Sequence, residues 1–156
     1  MRSGTVTGAA LLVAVSLTVS AQAPPDFSGT WKMSAEKSNF GEMPAPENLQ
    51  QIVTHSDPQI RVQSTQTGDF GEWVNDFTFT TDGNECQNAS GDIKIRSNVT
   101  WQGPQLHFDS TMDFQGSSVK VKDTWSLSPD GTELTIDRVL DGGQGESKAK
   151  IVLLKQ

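Results

Sequence analysis

Asp26-Phe27-Ser28-Gly29-Thr30-Trp31-Lys32-Met33 stands between an apolar N-terminal leader and a series of strand-like segments that runs to the C-terminus. The octet reads as a first β-strand. Gly29 lets another backbone approach closely where the strand begins, and the broad ring of Trp31 suits the plugging of one open end of a barrel.

Working outward, Gly, Pro and Asp punctuate the chain, and the segments between them alternate as half-buried strands do. Leu49 to Ser56 and Gln59 to Thr67 are joined across Asp57-Pro58, with Ile60, Val62, Ser64 and Gln66 on one face. Glu72 to Thr81 sets Trp73, Asn75, Phe77 and Phe79 on one side. Asp82-Gly83 begins a turn, and Asn84 to Gly91 reads as the rest of a long hairpin loop. Asp92 to Trp101 turns Ile93, Ile95, Ser97, Val99 and Trp101 inward, and the next segment does the same with Leu106, Phe108, Ser110, Met112 and Phe114. Val119, Val121, Asp123, Trp125 and Leu127 share a face, and after the turn Ser128-Pro129-Asp130-Gly131 so do Leu134, Ile136, Arg138 and Leu140. Glu146 to Leu154 closes the series. The chain is therefore all-β, an antiparallel up-and-down meander of about nine strands, eight to ten at the limits. Such a sheet removes its exposed edges by closing into a barrel, although an open sandwich satisfies the same count.

The segment Ser34 to Asn48, with Phe40-Gly41 and Pro44-Ala45-Pro46, reads as a long crossover loop. Its prolines allow at most one short helical turn near Ala35 to Ser38.

The leader has one basic residue, Arg2, an apolar stretch from Ala9 to Val19, and small-x-small sites ending at Ala21 and Ala23. It reads as a cleaved signal peptide over residues 1–21, with cleavage after Ala23 as the alternative that sets Pro24 beside the scissile bond. One domain then covers residues 24–156, and the expected location is periplasmic or secreted. A chain of about 135 residues can bury an adequate core, and the lone Cys86 excludes an intrachain disulfide. The formal charge of −7 becomes one unit more negative when Arg2 is removed. That balance argues against nucleic acid and anionic membrane partners, and the sequence has no second apolar run long enough for stable membrane insertion.

The octet also carries a resemblance. Its Gly29-x-Trp31 core resembles the first-strand motif of lipocalins, and Phe27-x-Gly29-Thr30-Trp31-Lys32-Met33 is similar to the opening of the intracellular fatty-acid-binding proteins. The resemblance to the calycin superfamily implies a lipocalin-like β-barrel that binds small molecules. It also implies that Trp31 packs against an arginine from late in the chain, which makes Gly29, Trp31 and Arg138 the barrel-closing set. Two features depart from the fatty-acid-binding pattern. The place of the two-helix lid is taken by the Pro-rich loop, and the place of the carboxylate-holding Arg-x-Tyr reads Lys150-Ile151-Val152 in a chain that has no Tyr. Fatty acid is thus one candidate among several apolar ligands.

The inward face also holds Ser64, Gln66, Asn75, Ser97, Ser110, Asp123 and Arg138. Unpartnered polar groups inside a dry core cost about 1–3 kcal/mol each, so this set suits an interior that holds water or a ligand. If Leu127 lies opposite Thr132, Asp123 and Arg138 become diagonal neighbours on adjacent strands. Arg138 then clamps Trp31, pairs with Asp123, or offers its planar fork to a ligand carboxylate. The ligand-binding candidates are Trp73, Asn75, Phe77, Phe108, Met112, Asp123, Trp125 and Arg138, whose aromatic members would equally serve as plain core.

Catalytic signals are sparse. His55 and His107 lack metal-site spacing and read as solvent-facing, Cys86 has no basic neighbour, and no nucleophile elbow or phosphate loop is present. No cofactor, metal or catalytic residue is expected, and a monomer is. The favoured function is an exported barrel that binds a small hydrophobic or amphipathic molecule without covalent chemistry. The alternative is an interaction or inhibitor module with a packed barrel that docks another exported protein through the Ser34 to Asn48 or Asp82 to Gly91 loop. An enzyme using a polar pocket around Asp123 and Arg138 would further require a raised Asp123 pKa.

Overall fold

Period-two alternation becomes a curved sheet in which the apolar members of each strand face one interior. The computed structural model describes Gly4 and residues 22–156, so the leader reading, Gly4 apart, lies outside the described residues. Among the described residues there are ten strands and no α-helix. They are β1 Gly29–Met33, β2 Asn48–Ser56, β3 Gln59–Gly68, β4 Gly71–Thr80 and β5 Asp82–Ser90, followed by β6 Ile93–Gln102, β7 Gln105–Phe114, β8 Ser117–Leu127, β9 Glu133–Asp141 and β10 Glu146–Lys155. All pairings are antiparallel, in the order β4-β3-β2-β1-β10-β9-β8-β7-β6-β5. The meander is closed by β1 meeting β10, through Trp31 opposite Lys155 and Met33 opposite Leu153.

The segment expected as a long loop, Asp82 to Gly91, is mostly β5. It pairs with β6 from Glu85 opposite Asn98 to Ser90 opposite Ile93, after an irregularity at Gly83 and Asn84. Its inward positions are Cys86, Asn88 and Ser90, which give none of the large apolar alternation that identifies the other strands.

The sheet ends, β4 and β5, are consecutive in sequence yet form no backbone ladder with one another. Side chains stitch this seam. The Asn88 carboxamide accepts from Thr78 N–H at 3.0 Å and donates to Thr78 C=O at 3.1 Å, as a neighbouring peptide group would. Cys86 Sγ accepts from Thr80 N–H at 3.2 Å, and Ser90 Oγ donates to Asn75 Oδ1 at 2.5 Å. The Thr78 N–H and C=O and the Thr80 N–H, which a ladder would otherwise satisfy, therefore find partners, and the barrel is nearly closed.

One end is filled by aromatic packing. Phe27 and Trp31 are both wholly buried, each worth about 2–3 kcal/mol of apolar transfer. Trp31 Nε1–H donates to Phe27 C=O at 3.0 Å, which removes the polar cost of burying an indole. The Phe27 ring lies 6.0 Å from Trp125, 6.1 Å from Trp101 and 5.9 Å from His55. Gly29, at φ 147°, carries the chain past Lys155, whose Cε would lie 2.8 Å from an added Cβ. The close approach expected of Gly29 is thus to the last strand.

At the other end, residues 34–47 cross without a helix, as the prolines require, and are tied to β10. Ser34 N–H donates to Val152 C=O at 2.8 Å, and Asn39 and Lys150 exchange two backbone bonds at 2.7 Å. Gly41, at φ 57°, sits so close to the Lys148 carbonyl that an added Cβ would meet its oxygen at 2.6 Å. The β8–β9 turn is longer than the four residues expected. Ser128 N–H reaches Glu133 C=O at 2.9 Å, while Asp130 accepts from Ser128 Oγ, Thr132 N–H and Thr132 Oγ1. These bonds to its charged form, the Ser128 hydroxyl first, draw the Asp130 carboxyl down to about 2.

Candidate functional site: the barrel interior

The strands enclose a cavity of about 410 Å³ between the aromatic end and the crossover loop. Its size lies within the usual range of small-molecule sites. Trp73, Asn75 and Phe77 on β4, Phe108 and Met112 on β7, Asp123 and Trp125 on β8, and Arg138 on β9 all line it. The eight residues singled out as ligand contacts thus converge on one space. Ser64, Gln66, Ser97 and Ser110 line it too, so the polar inward positions do face a hollow. Ser97 is fully buried and shares a 2.7 Å hydrogen bond with Ser110 across the β6–β7 pair. The aromatic side runs from Phe77 through Phe79 and Phe108 to Trp125, with ring separations of 6.2, 5.3 and 4.8 Å.

Several lining residues were not anticipated. Phe40, Met43, Pro44 and Pro46 come from the crossover loop, Leu49 and Gln51 from β2, and Ser90 from β5. The apolar members of an otherwise polar loop were the available signal. Trp73 is half exposed, and Phe70 and Val74 beside it are more open. This places the β3–β4 hairpin tip at the loop end of the barrel, where Glu47 N–H donates to Thr67 C=O at 2.8 Å.

Asp123 and Arg138 are direct cross-strand partners, not diagonal ones. The β8–β9 register differs by two residues from the expected one, Leu127 lying opposite Leu134, because six residues, Ser128 to Glu133, and not four stand between the last paired residues of the two strands. Arg138 Nε and Nη2 donate to the two Asp123 oxygens at 2.8 and 2.7 Å, a parallel two-bond fork. The Asp123 charge holds the guanidinium proton more firmly than usual, against the opposing effect of burial. Arg138 keeps 36% of its side-chain surface accessible and Asp123 keeps 12%, as expected for a pair that faces a hollow.

The role of Trp31 clamp goes to another cation. Lys155 Nζ lies 5.4 Å from the Trp31 ring centroid, while Arg138 is engaged with Asp123 inside the cavity. The resemblance implies an arginine in this role, whereas the β1–β10 register brings Lys155 directly opposite Trp31.

His55 also departs from expectation. Its side chain is 3% exposed and packs against Phe27 and Trp101, since His55 shares the inward phase of Leu49 and Val53 on β2. Phe27 N–H donates to Nδ1 at 3.3 Å, which assigns the ring proton to Nε2. That atom lies 3.6 Å from Asp57 Oδ1, beyond hydrogen-bond reach. Asp57 accepts instead from Thr81 Oγ1 at 2.6 Å and Trp101 Nε1 at 2.9 Å. These bonds, Thr81 foremost, hold its carboxyl below the usual range. His107 is half-buried on the outward phase of β7, with Nδ1 3.4 Å from Thr124 Oγ1. Among the described residues no group of three or more His, Cys, Asp or Glu converges as metal ligands would. Gln51 Oε1 and Trp125 Nε1, on residues that line the cavity, are buried without hydrogen-bond partners among the described residues.

No family model and no curated protein matches the chain. Solved structures do. A zebrafish ileal bile acid-binding protein complexed with cholic acid superposes with a TM-score of 0.57 at 19% identity, over 83% of this chain and 98% of that one. A protein titled REP1-NXSQ fatty acid transporter gives 0.60 at 12% identity, over 83% and 96%. Secretory abundant heat soluble protein 4 from Ramazzottius varieornatus gives 0.62 at 13%, over 87% and 99%. At such identities the likeness carries the fold. The chain has the calycin-like architecture, a ten-stranded antiparallel meander rolled into a nearly closed barrel.

Proposed function

We propose that this chain is an exported carrier that holds a small hydrophobic or amphipathic molecule inside its barrel and performs no covalent chemistry on it. The observation that carries this reading is the cavity of about 410 Å³, walled by Phe77, Phe79, Phe108, Met112 and Trp125 and dotted with polar side chains. Apolar walls supply affinity by removing ligand surface from water, and the few polar groups fix its orientation. Two of the similar solved structures bear titles naming bile acid and fatty acid, which supports the same use of this fold. Export rests on the leader sequence, and the protein acts in the periplasm or outside the cell as a monomer. The interaction-module reading asks for a packed barrel and for two docking loops, and it draws less support from a hollow barrel in which one of those loops is strand β5.

Native mass spectrometry of the chain, expressed with its leader, tests the proposal. A discrete excess mass released by organic extraction is the expected result. A bare mass that persists after incubation with lipid and pigment mixtures would favour the interaction module, and retention of residues 1–21 in the purified chain would count against export.

A further inference from the structure

We propose, building on the carrier reading, that the cavity selects an uncharged hydrophobe bearing a hydroxyl or carbonyl group, and discriminates against carboxylates. Among the described residues, Asp123 and Arg138 are the only charged side chains that line the cavity, and each is the other's partner. The lining therefore has no net charge. It also has no unpaired cation on which a carboxylate could settle.

A carboxylate that took the Arg138 fork would have to displace Asp123 from the two bonds at 2.8 and 2.7 Å. Asp123, 12% accessible, would be left as an anion beside the incoming one, with no second cation in the wall to receive it. A carboxylate that approached the free edge of the guanidinium instead would set two anions on one cation beside Asp123, which is 12% accessible, where charge repulsion is less screened than in open water. An ammonium ligand meets the mirror problem at Asp123. A neutral group escapes both. The Nη1 hydrogens of Arg138 are not spent on Asp123, and each Asp123 oxygen retains a lone pair, so a hydroxyl can donate to one and accept from the other while the pair stays intact.

The remaining polar lining has the same character. Ser97, Ser110, Asn75 and Gln51 are uncharged hydroxyls and carboxamides. Among the described residues, the two buried polar atoms left without partners on lining residues are one acceptor, Gln51 Oε1, and one donor, Trp125 Nε1. Neutral donors and acceptors match such a wall without any buried charge being left unpaired.

The decisive experiment compares dodecanol, methyl dodecanoate and dodecanoate as competitors of the neutral fluorophore N-phenyl-1-naphthylamine on the delipidated mature chain at pH 8. The alcohol and the ester should displace the fluorophore at concentrations at least about tenfold lower than the acid does. In Asp123→Asn, which releases Arg138, the order should reverse in favour of the acid. If the native protein binds dodecanoate as well as or better than dodecanol, the inference is overturned while the carrier reading stands. If neither the fluorophore nor any of the three ligands binds, the carrier reading falls and takes the inference with it. The ratio in the native protein needs no variant and decides the question even where Asp123→Asn does not fold.

Discussion

Asp123 on β8 and Arg138 on β9 face one another in register and are joined by two parallel hydrogen bonds inside the barrel. Removing either partner leaves a charge in the cavity wall without its counter-ion. Arg138→Ala and Asp123→Ala should each lower unfolding stability by about 2 kcal/mol, less than for a fully dry pair because Arg138 retains 36% of its side-chain surface. The double variant should lose clearly less than the sum of the two. Urea denaturation of all four proteins measures the coupling, and strict additivity would show that the pair contributes nothing.

Asn88 stands in for a strand at the seam between β4 and β5. Asn88→Ala removes both bonds to Thr78 and should cost about 1 kcal/mol. The loss should be local, with the Thr78 amide exchanging its hydrogen much faster while amides in the β7–β8 pair keep their protection. Unchanged exchange at Thr78 would mean that another group supports the seam.

The strands that were legible in the sequence are those whose inward positions carry bulk. The octet at residues 26–33, the alternation along β6 to β9 and the prolines at 44 and 46 led directly to the barrel and to the missing lid helices. β5 was not legible as a strand because Cys86, Asn88 and Ser90 face the seam, where hydrogen bonding replaces burial. The cavity residues were readable as faces of strands, and Asp123 as a partner of Arg138, yet whether the two stand diagonal or directly opposite turned on a two-residue difference in turn length. His55 was readable in principle, since it shares the phase of Leu49 and Val53. Its polarity masked a position that the period had already assigned to the interior.

Lys155 lies over Trp31, and the two are also opposite one another in the β1–β10 ladder. Lys155→Ala should shift the Trp31 indole N–H resonance and cost about 0.5–1 kcal/mol, whereas Arg138→Ala should leave that resonance in place. A shift from Arg138→Ala alone would restore the arginine as the clamp.

Asp57 accepts hydrogen bonds from Thr81 and Trp101 that favour its ionised form. Its folded pKa is lowered relative to the unfolded chain, so its contribution to stability is present at neutral pH and is lost as pH falls through the folded pKa, in a window below about pH 4. Thr81→Val should raise the Asp57 pKa, as followed by carboxyl NMR, and should flatten the acid limb of the stability profile. An unmoved Asp57 titration in this variant would sink the assignment.

The tie between the crossover loop and β10 depends on a glycine. Gly41→Ala would set a methyl group 2.6 Å from the Lys148 carbonyl oxygen at a φ of 57°. This substitution should lower stability by about 1–3 kcal/mol and speed the exchange of the Asn39 and Lys150 amides. Slow exchange at both amides would show that the loop can shift without release.

Every pairing in the sheet joins strands that follow one another in sequence except that between β1 and β10. Hairpins can therefore assemble locally, each closing a short stretch of chain. The meeting of Trp31, Lys32 and Met33 with Lys155, Leu154 and Leu153 must close the longest stretch for the shortest ladder. Without that ladder the strands fall into two separate meanders, β1–β4 and β5–β10, since β4 and β5 do not pair, so the least local contact in the barrel is also the one that makes a single sheet of it.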